Sequence, residues 1–559
     1  MDKQTHAFDR PALYWLHRAE RARREGDMLR AAVMERHAAR TQPESPVAAR
    51  RYAATLRRMG CLEASTREVF AALAYDSARW ELLGTLSLNW LDAGKKQDAL
   101  SAMTLFLDNA EIDPLELDSW DEEYRVLCGD MRAPGYAKKA RLRGLSELCL
   151  RRLARGDAEG AGRAIFRAYR QYAHVGVYPY RELARAVYHH VTGAPGPARA
   201  FILGALARHP GSVSLNATAA VILHEQGERS HGLRLLVRAA FLAWSQADEA
   251  NVLQAAARMQ RLDIAMGMLT HILSEKPNRF FTVYNAAVCL LRLGRPGEAL
   301  RYAHLLREID PDDLPGERLF SLVSSLSGNA RPLGESLGFW GALSREEWRQ
   351  CLAPLWEAME RPVEEWAPLI ASNAAFRRRL IEAAGRDELP AGLLGRLAEA
   401  LPSAEAQRLL RQALTAGPNN AMVKKEALAG LSAMGAPPPY FAWYPGRLVL
   451  LDPTKPPQLT PMFLTRRLFR CAVRVRRAAG EQAALYALQA FRRMNRAQRL
   501  NVAGDRRDAW PAALCVRYAA LTGLPPPHAG QIDRAGASAM KKALHILRKG
   551  ETKNGNHQL

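Results

Sequence analysis

The chain has 559 residues, 48% of them hydrophobic and 24% charged, which is enough to bury a large core over several domains. Its formal net charge of +22 favours an acidic partner, whether nucleic acid, an anionic membrane surface or an acidic protein. The N-terminal stretch MDKQTHAFDRPALYW has no basic segment followed by an apolar run, and no stretch is apolar over the length of a membrane span. We therefore predict neither a secretory signal nor a transmembrane helix, and we expect a cytoplasmic protein.

Glycines recur between predicted helices at a nearly fixed interval. The interval is 33 or 34 residues from Gly26 to Gly94 and from Gly193 to Gly328, with Gln260 in one glycine position. Small residues follow most of these turns, at Ala31, Ser65, Ala99, Ala161, Ala198, Gly232, Ala265 and Ala299, and prolines close several units, at Pro43, Pro210, Pro277 and Pro311. A small residue lets two helices approach closely, and a proline cannot continue a helix. Each unit therefore predicts a helix, a turn, a second helix and a stop.

This period and pattern resemble the tetratricopeptide repeat (TPR) family. In the unit at 280–311, the matching residues are Ala286, Ala287, Leu290, Gly294, Ala299 and Pro311. The resemblance implies an all-α solenoid of helical hairpins that serves as a non-enzymatic interaction scaffold. It covers an array within residues 1–344, with units near 12–43, 46–77, 80–113, 142–173, 179–210, 213–244, 246–277 and 280–311, a degenerate unit at 314–344 and an insertion at 110–138.

The remainder of the chain loses the 34-residue period. Residues 345–435 predict irregular helical hairpins that continue the solenoid, and the tryptophans Trp340, Trp348, Trp356 and Trp366 are expected to cap its core. Within 436–526, a small irregular or β-hairpin element is predicted near 437–452, where prolines flank aromatic and β-branched residues, and arginine-rich helices follow it. The tail at 527–559 is expected to be partly disordered.

Catalytic motifs are not found. There is no glycine-rich phosphate loop, no HExxH zinc motif and no GxSxG nucleophile motif, and the seven cysteines are widely spaced, as buried thiols would be. We predict no enzyme activity, no cofactor and no metal site. A catalytic domain after residue 435 is suggested only by the change of composition there.

Two kinds of binding surface are open alternatives. In TPR geometry, the concave groove is lined by residues of the first helix of each unit, here Tyr180, Leu183, Val187, His190, Phe281, Tyr284, Val288 and Leu291. This apolar groove predicts a protein partner that supplies a peptide or helix. The alternative is a nucleic acid or other polyanion that contacts an arginine surface made of Arg466, Arg470, Arg474, Arg477, Arg492, Arg496 and Arg499.

Overall fold

A computed structural model describes most of the chain. The described residues are 11–110, 136–172, 179–326, 343–451 and 509–523, with 337–340 and scattered residues within 120–127, 471–491 and 540–547. They fall into two compact units, residues 1–454 and residues 455–559. Each unit is described separately below.

Helical hairpins build the first unit. The hairpin helices are α1 (Ala12–Arg24), α2 (Met28–Thr41), α3 (Pro46–Arg58), α4 (Leu62–Tyr75), α5 (Glu81–Asp92), α6 (Lys96–Asn109), α7 (Tyr136–Leu153), α8 (Ala158–Tyr172), α9 (Pro179–Val191), α10 (Pro195–Arg208), α11 (Val213–Glu225), α12 (Arg229–Leu242), α13 (Gln246–Arg258), α14 (Leu262–Glu275), α15 (Phe280–Arg292), α16 (Pro296–Ile309) and α17 (Leu314–Ser325). The predicted all-α, TPR-like solenoid is confirmed. Most of the insertion at 110–138 lies outside the described residues.

The turn inside each hairpin needs a left-handed backbone conformation. Glycine supplies it with positive φ at Gly26, Gly60, Gly94, Gly156, Gly193, Gly227 and Gly294. Gln260 adopts the same conformation, with φ of 55°, although a Cβ disfavours it. The turn conformation therefore explains the periodic glycines. At Gln260, the same conformation is adopted by a residue with a side chain, which strains the backbone locally.

Small residues allow the two helices of a hairpin to touch. A Cβ placed on Gly232 of α12 would lie 2.6 Å from the carbonyl oxygen of Ala220 on α11. In another hairpin, the Ser65 hydroxyl on α4 donates a 2.7 Å hydrogen bond to the carbonyl of Ala53 on α3. Both Gly232 and Ser65 are buried, as the sequence pattern predicts. The close contact thus fixes where each second helix crosses its first helix.

Six further helices and a β-hairpin complete the first unit. The helices are α18 (Arg345–Met359), α19 (Val363–Ser372), α20 (Ala374–Gly385), α21 (Leu393–Ala400), α22 (Ser403–Thr415) and α23 (Ala421–Ala433). Strands β1 (Tyr440–Tyr444) and β2 (Arg447–Leu451) pair antiparallel, with Tyr444 opposite Arg447 across the turn. This confirms the predicted hairpin near 437–452. Its turn glycine, Gly446, lies against Gln97 on α6.

The second unit is described in part. Helix α24 (Ala509–Thr522) is the element described at full length there. A separate hydrophobic core contains Cys471, Val475, Phe491, Trp510 and Leu514 among others. The described residues at 471–491 that flank this core are helical, as the sequence predicts.

We expect Gln260→Gly to stabilise the protein. Glycine relieves the cost of holding a side chain in the left-handed region, which is about 1 kcal/mol, partly offset by the greater freedom of glycine in the unfolded chain. The measurement is the free energy of unfolding by chemical denaturation. The control is Gln254→Gly in the exposed interior of α13, which should destabilise by roughly 1 kcal/mol. Equal effects of the two changes would contradict the assignment of strain to Gln260.

Candidate functional site

The first predicted groove set lies on α9. Tyr180 is 38% exposed, and the Arg143 guanidinium lies 4.9 Å from its ring centroid. Leu183 is buried, whereas Val187 and His190 are half-buried. His190 Nε2 lies 2.6 Å from Glu225 Oε2 at the end of α11. The structure thus leaves part of this set accessible, and its role in binding remains a prediction.

The second predicted set lies on α15 and is buried. Phe281, Tyr284, Val288 and Leu291 all belong to the hydrophobic core that runs through the array. The Tyr284 ring packs edge-on against the ring of Trp340 at a centroid distance of 5.2 Å. Trp340, which belongs to a later segment, therefore covers the face of α15 that the sequence analysis assigns to a ligand.

That later segment is Leu337–Trp340, here called the LGFW segment, which is neither helix nor strand. Its Trp340 ring packs against Phe280 at 5.1 Å and 72° as well as against Tyr284. The Arg292 guanidinium lies 4.5 Å from the Phe339 ring centroid. Because Phe280 begins α15 and Arg292 ends it, the LGFW segment runs antiparallel to α15.

Side chains of α15 also hold the backbone of the LGFW segment. Trp340 N–H donates to Asn285 Oδ1 at 2.9 Å, and Arg292 Nε donates to the carbonyl of Leu337 at 3.1 Å. Asn285 is fully buried, and its Nδ2 has no hydrogen-bond partner among the residues that the structure describes. The Trp340 donor fixes which amide atom is the oxygen, because only an oxygen accepts that bond. One buried donor of the site is therefore unsatisfied.

Glu347 on α18 holds the same segment from the other side. Its Oε1 accepts a 2.7 Å hydrogen bond from Gly338 N–H, and its Oε2 accepts a 2.8 Å bond from Ser344 N–H. Burial raises the pKa of Glu347, but these hydrogen bonds outweigh it and hold the pKa below its usual range. The LGFW segment is thus fixed by charged groups on α15 and α18.

The first hairpins contact the eighth through a group of charges, here called the clasp, in which Arg67 is half-buried and Asp310 and Asp313 are buried. Arg67 on α4 pairs with Asp310, which lies far along the chain after α16. Burial raises the pKa of Asp310, but the Arg67 charge outweighs this effect and holds the pKa low. The pKa of Asp313 is raised, both by burial and by the negative charge of Asp310. The clasp therefore joins distant repeats. The Asp310 carboxylate is paired with Arg67, whereas ionisation of the Asp313 carboxyl is unfavourable.

A cavity of about 710 Å³, here called the chamber, lies beside the clasp within the first unit. Helices α4, α20 and α22 and strand β1 contribute to its wall. The charged lining residues have both signs: Glu63, Arg67, Glu68, Lys95, Asp312, Arg377, Arg378, Glu382 and Arg386. Phe70, Trp90 and Trp443 form an aromatic wall, in which the Trp90 and Trp443 centroids lie 5.3 Å apart. Such a chamber suits a ligand that carries both charge and an apolar part.

The chamber lining was compared with the residue types that bind metals or act as thiol nucleophiles. The described lining residues include no histidine and no cysteine. Across the described part of the chain, no cluster of histidine, cysteine or acidic residues forms a metal site. The six cysteines that the structure describes are buried free thiols, and burial raises the pKa of Cys61 to about 12.

Most of the predicted arginine surface lies outside the described residues, namely Arg466, Arg470, Arg477, Arg492, Arg496 and Arg499. Arg474 is described, on an exposed helical position in the second unit. Searching the described helices finds none with the length and apolarity that a membrane span requires.

Sequence reasoning missed the residues that hold the LGFW segment. Asn285 falls between the groove positions expected from TPR geometry and Arg292 follows the last of them, and a lone asparagine or arginine in a helix carries no signal. The prediction that Trp340 caps the core is consistent with its burial at 8% exposure. The aromatic pair Phe339–Trp340, in a unit that has lost its second-helix pattern, is the sequence signal that could have identified this place.

No protein-family model matches the chain, and no curated protein matches it. Among solved structures, it is similar to a tetratricopeptide repeat protein from Parabacteroides merdae, at 12% identity over 53% of this chain and 98% of that chain, with a TM-score of 0.23. Yeast Tom70 matches at 12% identity over 78% of this chain and 92% of its own, with a TM-score of 0.21. The Cut9–Hcn1 assembly of APC/C matches at 14% identity over 55% of each chain, with a TM-score of 0.24. At these low scores, the fold assignment rests on the hairpins of the chain itself.

We expect Arg67→Met to destabilise the first unit by about 3–5 kcal/mol, because it leaves Asp310 and Asp313 buried without the counter-charge. The measurement is the free energy of unfolding at neutral pH. The matched control is Arg40→Met, which removes the more exposed 2.6 Å pair with Asp312 and should cost no more than about 1 kcal/mol. A similar loss in both variants would contradict the special role of the clasp.

We expect Glu68→Gln, in the chamber lining, to raise the free energy of unfolding by an amount that depends on pH. Burial raises the pKa of Glu68 from 4.5 to about 7, so ionisation of this carboxyl costs the folded state stability as the pH rises through that window. The variant avoids this cost; its advantage in unfolding free energy should be absent below the window, grow through it and level off above it. Denaturation at several pH values measures this, with exposed Glu159→Gln as the control for charge removal. A constant difference across pH would disprove the assignment.

Proposed function

We propose that the protein is a non-enzymatic interaction scaffold that holds a peptide or helix of a partner protein against the first helices of its repeats. The observation that carries this proposal is the capture of the LGFW segment by α15. Asn285 and Arg292 bind its backbone, and Phe280 and Tyr284 receive its tryptophan. A repeat array that holds one stretch of non-helical polypeptide in this way has the groups that peptide recognition requires.

Backbone and side-chain contacts have different tasks in this arrangement. Hydrogen bonds to a carbonyl and an N–H recognise any extended polypeptide, whereas an aromatic pocket selects the side chain. Tyr180 offers a further aromatic position on α9 that is partly exposed. The proposed binding surface therefore includes the predicted sets on α9 and α15, extended by Asn285 and Arg292.

A second candidate rests on charge. The net charge of +22 and the arginine surface at 466–499 favour a nucleic acid or another polyanion. The two candidates differ in their response to salt, because phosphate contacts weaken steeply with ionic strength whereas an apolar groove tolerates it. This difference sets the design of the experiment.

We expect the tagged protein to capture a discrete protein partner from its own cell lysate after nuclease treatment and at moderate salt. Tyr180→Ala should weaken this capture, because it removes an exposed aromatic contact from a first helix. The matched control is Phe166→Ala, which removes an aromatic side chain that is 67% exposed on a second helix, α8, and should leave capture unchanged.

Loss of all bound material on nuclease treatment would reject the scaffold proposal. Sensitivity to charge reversal at Arg474, together with steep salt dependence, would then support the polyanion candidate.

A further inference from the structure

The LGFW segment packs into the hydrophobic core of the array, but it is held there as a resident ligand would be. It has no helical or strand structure, yet Leu337, Phe339 and Trp340 are each less than a tenth exposed. Its contacts run to the side chains of α15 and α18 and include backbone hydrogen bonds at both ends. A hairpin helix in the same solenoid makes its own backbone hydrogen bonds instead.

The fit of the segment is incomplete at one atom. Asn285 accepts from Trp340 N–H, but its buried Nδ2 donor has no partner. An asparagine side chain can donate to a peptide carbonyl while it accepts from a peptide N–H, which satisfies both amide atoms. An unsatisfied buried donor destabilises the occupied site, so a peptide that completes this pair binds better than the segment does.

We propose that α15 forms a binding site for an extended peptide of another protein, with an aromatic residue in the place of Trp340, and that the LGFW segment occupies this site until the peptide displaces it. The peptide contributes the N–H that reaches Asn285 and a carbonyl, three residues earlier, that accepts from Arg292. A second aromatic residue before the first stacks under the Arg292 guanidinium. This inference rests on the proposed scaffold function and names its ligand.

Occupation of the site by the LGFW segment determines the apparent affinity of a partner peptide. A tethered competitor is present at a high effective concentration, so the apparent affinity of a free peptide is its intrinsic affinity multiplied by the fraction of time for which the site is empty. The pocket of Trp340 also borders the clasp, because Trp340, Arg67 and Asp310 line one small cavity. Exchange is therefore expected to be slow, and binding is measured after equilibration.

The experiment uses the full-length protein and the fluorescently labelled peptide ESLGFWGA, which corresponds to residues 335–342. Fluorescence anisotropy measures its binding to wild type and to Trp340→Ala, which vacates the aromatic pocket. The variant should bind the peptide at least about tenfold more tightly than wild type does. Phe339→Ala, which removes only the ring beneath Arg292, should give an intermediate affinity and serves as a second variant if Trp340→Ala fails to fold.

Four matched controls identify the contacts. Asn285→Ala in the Trp340→Ala background should weaken binding by about tenfold or more. A peptide with an N-methylated tryptophan amide lacks the donor to Asn285 and should lose affinity to the same extent, as should a peptide with alanine for tryptophan. Trp348→Ala removes a neighbouring tryptophan that contacts Arg386 instead, and should behave like wild type.

The outcomes separate this inference from the proposed function. If folded Trp340→Ala and Phe339→Ala bind the peptide no better than wild type does, or if Asn285→Ala has no effect, the resident-ligand inference is overturned. Capture of a partner from lysate that depends on Tyr180 would survive that result, since it would use another part of the array. If both experiments fail, the scaffold proposal itself fails.

Discussion

The close approach of two helices at a small residue is the constraint on which the rest of the first unit depends. At Gly232, any side chain would collide with a carbonyl oxygen of the facing helix, and at Ser65 the hydroxyl bonds to such a carbonyl. This contact sets the distance and crossing point inside a hairpin, and the left-handed glycine sets its turn. Since each hairpin presents the same faces to the next, stacking follows from the repetition of one local rule.

The clasp and chamber arise where the array meets itself. Arg67 in the second hairpin reaches Asp310, more than two hundred residues later in the chain, and Trp443 of the β-hairpin donates a 2.8 Å hydrogen bond to Asp98 on α6. These contacts place buried charges where helices from opposite ends of the array converge. Buried ion pairs add little net stability but make the removal of one partner costly, so they favour one arrangement of the hairpins over others.

The LGFW segment connects the architecture to the proposed function. The degenerate unit has lost the sequence pattern of a second helix, and its described residues Leu337–Trp340 lie along α15. That placement buries three apolar side chains and engages two polar side chains of α15 through backbone atoms. The surface that binds this segment is a product of two features: the hairpin of α15 and α16 supplies the contact residues, and a unit of degenerate sequence supplies the occupant.

The sequence by itself determined the hairpin repeats. Local conformational rules explain the turn glycines from Gly26 to Gly294, the small residues after them and the pairing of strands near Gly446. The amino acids at those positions impose these rules independently of distant parts of the chain. Only the tertiary structure decided that Arg67 meets Asp310 and that Trp340 covers Tyr284. Such contacts depend on the small rotations between successive hairpins, which add up along the array. The spacing of residues within one repeat does not determine that total rotation.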